Sequence, residues 1–178
     1  MKAESIGRLG GNPLPPEWEF RYDKSVTQIA LGLDMPEKGI TFPVSNMVRC
    51  KLDDESTKIY AASPFRVMVI QEVDTAKVVQ VFQLRDAEIK EKGFEQFPGS
   101  NERFLRTSYE IVPASESSPQ MVVYRSNGKA EFVMAVVPEQ RAIVQIDQMG
   151  PFGYTSKYPD IDDETRISWL AEFAKSHS

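Results

Sequence analysis

Met121-Val-Val-Tyr124, Ser126-Asn-Gly-Lys129, Glu131-Phe-Val-Met-Ala-Val-Val137 and Ala142-Ile-Val-Gln-Ile-Asp147 follow one another almost without interruption. Asn127-Gly128 supplies the two positive φ angles that a two-residue hairpin turn requires, so the flanking apolar runs read as paired strands. Pro138-Glu-Gln-Arg141 then punctuates the chain and a third run resumes. Three consecutive strands joined by short turns make an antiparallel meander.

Working outward, Phe65–Ile70 and Val78–Leu84, separated by Glu72–Lys77, read as a second hairpin. Both units follow a Ser-Pro pair, Ser63-Pro64 and Ser118-Pro119, and carry a lysine after the turn, Lys77 and Lys129. Ser-Pro is read here as marking entry from loop to strand rather than as the trace of a duplication. Val26–Leu33, Val44–Leu52 and Arg103–Val112 are further strands. The last sets Leu105, Thr107, Tyr109 and Ile111 against Arg106, Ser108 and Glu110, the period of two expected of a strand with one wet face. Turns fall at Asp34–Gly39, Asp53–Ser56 and Pro113–Pro119. The expected fold is mainly β: an antiparallel sandwich or barrel of about seven or eight strands, with α+β the near alternative.

Two helices are expected. Asp86 caps a short one over Ala87–Lys92, with Glu88 and Lys92 one turn apart and Gly93 ending it. An amphipathic helix over residues 162–175 starts at Asp162 or Asp163 and places Ile167, Leu170, Phe173 and Ala174 on one face, with Trp169 at its border, for docking on the sheet. Residues 1–24 read as an extended proline-containing arm and 25–178 as one β-rich domain.

With 178 residues, 41% hydrophobic and 26% charged, the composition is that of an average globular domain, which folds without a disulfide or metal staple. The scarce residues exclude chemistry. The one cysteine, Cys50, forms no intramolecular disulfide, reads as a core residue and fits a reducing, cytoplasmic compartment. The one histidine, His177, is penultimate, which argues against a Ser-His-Asp or Cys-His centre and against zinc. No apolar run approaches a membrane span, and Met1-Lys-Ala-Glu-Ser5 has no apolar stretch of an export signal behind it. The net charge of −5 is spread along the chain and forms no basic stripe, which argues against a nucleic-acid partner.

The candidate contact residues lie in two places. In Arg8–Phe20, Pro13, Pro15 and Pro16 hold an arm extended while Leu14, Trp18 and Phe20 offer apolar anchors. In the polar loop Gly93–Glu102, Phe94 and Phe97 lie near a Pro-Gly turn and need a partner, in the chain's own core or outside it. Gly10-Gly11 lacks the Gly-Lys-Ser/Thr ending of a phosphate loop. Asp160–Glu164 lacks the glycine and distal glutamate of a calcium loop and suits a helix start. Asp53-Asp54-Glu55 reads as a solvated turn, and no carboxylate pair is singled out by spacing.

Ile6-Gly-Arg-Leu-Gly-Gly-Asn-Pro13, followed by Phe20-Arg-Tyr-Asp-Lys-Ser25 and Gln28-Ile-Ala-Leu31, is similar to the opening of bacterial single-stranded DNA-binding proteins. The likeness stops there: the rest of the chain departs from that family's pattern, an apolar first strand is missing, and Glu172–Ser178 lacks its acidic tip. What the resemblance implies is a small barrel whose aromatics stack on bases. The function expected from the residues themselves is a non-enzymatic binding or assembly module acting through protein-protein contacts, with a protein partner or self-association. It needs no cofactor and no metal. The alternatives are a β-barrel carrier of a small apolar ligand, a single-stranded nucleic-acid-binding barrel, and an enzyme using carboxylate or tyrosine groups.

Overall fold

The computed structural model describes residues 19–53, 65–97, 99–116 and 118–148. They form one antiparallel sheet from β1 (Glu19–Ile29), β2 (Ser45–Asp53), β3 (Phe65–Gln71), β4 (Thr107–Val112), β5 (Gln120–Ser126), β6 (Lys129–Val137) and β7 (Ala142–Gln148). Among the described residues one α-helix, α1 (Thr75–Lys92), connects β3 to β4. The strand order is β1-β2-β3-β7-β6-β5-β4, so the sheet is open, with β1 and β4 at its edges. The mainly β, antiparallel class is as expected, and the sheet does not close into a barrel.

The meander stands as read. Asn127 (φ 53°) and Gly128 (φ 80°) make the turn between β5 and β6, and Arg141 (φ 49°) ends the 3-10 turn Pro138–Gln140 before β7. Other elements differ from the sequence pattern. Val78–Leu84 is helix and not the second strand of a hairpin. Asp74 accepts a hydrogen bond from the Lys77 backbone N–H at 3.2 Å, capping a helix that starts well before Asp86. On it Val78, Val81 and Phe82 recur at helical spacing and are fully or almost fully buried, and that burial outweighs the weaker helix propensity of β-branched residues. The far end matches expectation: Gly93 (φ 79°) donates to the Ile89 carbonyl, and Lys92 lies 3.8 Å from Glu88.

β1 begins at Glu19, earlier than the expected Val26, and residues 19–23, placed in the arm by their neighbouring prolines, pair with residues 53–49 of β2. Phe20 therefore sits in β1 opposite Leu52, and Cys50 lies in β2. β4 starts only at Thr107, because Arg106 adopts a left-handed φ of 59° that breaks the alternation and leaves Leu105 64% exposed. Leu14, Trp18 and the helix expected over 162–175 lie outside the described residues.

The core alternates by register. Val122, Met134, Ile143 and Ile70 project to the side that α1 covers through Val78, Val81 and Phe82. The opposite side of the same strands carries Met121, Val123, Val133, Ala135, Val137 and Val144, and these are buried as well.

Candidate functional site

The end of α1 leads into a loop that folds back on itself. Glu95 and Phe104 exchange two backbone hydrogen bonds of 2.8 Å, closing residues 95–104 into a small hairpin with Gly99 (φ 79°) at its tip. Inside it Ser100 donates its N–H to the Phe97 carbonyl at 3.1 Å, and Gln96 Nε2 donates to the Ser100 carbonyl at 2.8 Å. At the base, the Asn127 N–H donates to the Arg106 carbonyl at 2.9 Å, tying the loop to the β5–β6 turn.

What pins this loop is a polar network under α1. Glu95 is buried and its carboxylate accepts from two phenols, Tyr109 of β4 and, at 3.2 Å, Tyr124 of β5. Asp86 of α1 accepts from the Tyr109 backbone N–H at 3.2 Å and pairs with Lys90 at 2.7 Å. Arg85, on the same side of α1, donates to the Gly32 carbonyl at 3.1 Å and lies 6.0 Å from the Phe82 ring centroid. Four rings pack around the network: Phe82 to Tyr109 at 5.2 Å, Tyr109 to Tyr124 at 4.7 Å, Tyr124 to Phe132 at 5.2 Å and Phe82 to Phe132 at 6.1 Å. Each contact is within the range in which aromatic pairs attract.

Burial raises the pKa of Tyr109 far above the ordinary tyrosine range, and the hydrogen bond and charge of Glu95 push it further up against a smaller opposing effect of Arg85. Burial and then the charge of Glu95 push Tyr124 up to about 12. Neither phenol is therefore available as a phenolate near neutral pH, and both oxygens of Glu95 are engaged. A folded pKa above the unfolded value of 10.0 means that the Tyr124 contribution is fully present below pH 10 and is lost as pH rises through about 12. Stability to urea is expected to fall across that window, and in ultraviolet titration Tyr124→Phe should remove a late-ionising phenol. Ionisation of that phenol at the ordinary value would contradict the network.

Of the sequence candidates, the structure brings Phe94 and Phe97 together on this loop. Arg103 stacks over the half-buried Phe94 ring at 4.6 Å, and Phe97 meets Phe104 edge to face at 5.5 Å. Phe97 and Phe104 remain 37% and 36% exposed and Leu105 64%. Phe20 lies on β1, at the other edge of the sheet from β4. Glu95, Tyr109, Tyr124, Phe104 and Leu105 were not legible as a site, although two phenylalanines in a polar loop marked its position.

Two hollows adjoin the loop. An open cleft of about 350 Å³ runs between Pro36, the Arg85 to Lys92 side of α1 and Phe94–Phe97. A second, of about 230 Å³, lies between α1 and the sheet, with Leu33, Ile70, Phe82, Phe132 and Ile143 in its walls. Among the described residues no group of three or more His, Cys, Asp or Glu is placed to hold a metal ion, and no helix is long and apolar enough to cross a membrane. No known protein family, curated protein or solved structure matches the chain.

Proposed function

We propose that the chain is a binding module that acts through protein-protein contacts, as a subunit or accessory factor of a larger complex, with residues 94–105 as its contact surface. The observation that carries this reading is the exposure of Phe97 and Phe104, whose rings are in contact, and of Leu105 next in sequence, on a loop held by buried Glu95. Asn101, Glu102, Arg103 and Arg106 neighbour them along the chain and are exposed. An apolar centre in a polar rim is the anatomy of a protein interface. A loop already held in shape loses less freedom on binding than a mobile one. The loop also runs directly into β4, an open edge of the sheet that invites strand pairing.

A photo-crosslinking amino acid placed at Phe97 or Leu105 of the full chain, in its native cell, tests the reading. Both positions are expected to capture the same protein, a different subunit or a second copy of the chain, while Ala76 on the exposed side of α1 captures none. Equal capture at Ala76, or none from the loop, would contradict it. A second reading, carriage of a small apolar ligand, is supported by the hollow of about 230 Å³ between α1 and the sheet. That is below the ~300–1,000 Å³ of pockets for drug-sized ligands, so only a compact molecule fits.

A further inference from the structure

One face of the sheet is accounted for by α1 and the other is not. Met121, Val123, Val133, Ala135, Val137 and Val144 all project away from α1, form one patch across β5, β6 and β7, and are none of them more than 4% exposed. Leu33, Met35 and Ile40 join α1 in one buried cluster with the residues of the other side. The sequence requires a cover independently: Phe132–Val137 is apolar at every position, the pattern of a strand buried on both faces, whereas a sheet with one wet face alternates.

We propose that this second apolar face is the seat of the chain's own C-terminal stretch, docked as the amphipathic helix 162–175. β7 is the middle strand of the seven, borders the patch and ends at Gln148, so the following chain leaves from the middle of the sheet beside the patch and not from an edge strand. Residues 149–161, extended at about 3.3 Å each, reach roughly 40 Å, ample to turn back onto the sheet. Fourteen helical residues are about 21 Å long, and the four strands β3, β7, β6 and β5 span roughly 14 Å, so one such helix covers the patch. Ile167, Leu170, Phe173 and Ala174 supply the single apolar stripe such a seat needs. The other stretches match it less well. Residues 54–64 are mostly polar and must return from β2 to its neighbour β3, and residues 1–18 carry prolines in place of a helical stripe and lead into the edge strand β1.

Methyl-labelled full-length protein tests the assignment by nuclear Overhauser spectroscopy. Cross-peaks from Ile167 and Leu170 methyls to those of Val123, Val133 and Val144 are expected, and are expected to vanish in a mixed sample that reports only contacts between different chains. Three results would overturn the proposal. Contacts to the patch from Leu14 would assign it to the arm, contacts surviving in the mixed sample would assign it to a second copy, and no contact from Ile167 or Leu170 would leave the C-terminal stretch elsewhere.

Discussion

Glu95→Ala is expected to destabilise the full chain by about 2–4 kcal/mol, read as a lowered urea midpoint at unchanged slope. The substitution removes a charged acceptor from two tyrosine hydroxyls, and hydrogen bonds to charged groups are worth about 1.5–3 kcal/mol each. It also strands the Tyr109 hydroxyl in a site where that residue is only 4% exposed, with the desolvation cost of an unpartnered buried group. Part of the loss is offset because burying the carboxylate itself carries a penalty. Glu95→Gln, which keeps the shape and can still accept from a phenol, should cost less. A change below about 0.5 kcal/mol for the alanine variant would show that the network adds nothing to the fold.

Phe82→Ala should cost more, about 3–5 kcal/mol, because truncating a buried phenylalanine loses its transfer free energy and leaves a cavity. Among the described residues Phe82 is the largest of the fully buried side chains, and it stands where α1 meets the sheet, between Tyr109 and Phe132. The existing hollow beside it limits how far the surroundings can collapse, which places the cost toward the upper end. Since Phe82 and Glu95 both act on Tyr109, the double variant is expected to be non-additive, and strict additivity would place them in separate units. The readout is again equilibrium unfolding, and a loss under 1 kcal/mol would contradict the packing described.

How much of this was legible in the sequence depends on how local each cause is. The β5–β7 meander was readable because Asn127-Gly128 and Pro138–Arg141 set backbone angles within the turns themselves. Gly93 was readable as a helix end for the same reason. The helix before it was not: Val78, Val79, Val81 and Phe82 have strand composition, and only their burial against the sheet, a tertiary effect, selects the helical period. The site was the least legible part. Glu95, Tyr109 and Tyr124 come from a loop and two strands, and no spacing rule joins them. What could be read was the misfit of Phe94 and Phe97 in polar surroundings, and that misfit marked the loop without showing what fixes it.

The loop over Glu95 is the surface proposed to bind. The most direct measurement is calorimetric titration of the crosslinked partner against the full chain and against a variant carrying Phe97→Ser and Leu105→Ser. Both side chains are more than a third exposed, so the unfolding midpoint should barely move. If they are central contacts, affinity should fall by roughly 30-fold or more, the effect of losing an interface hot spot of about 2 kcal/mol. Unchanged affinity in a stably folded variant would place the binding surface elsewhere.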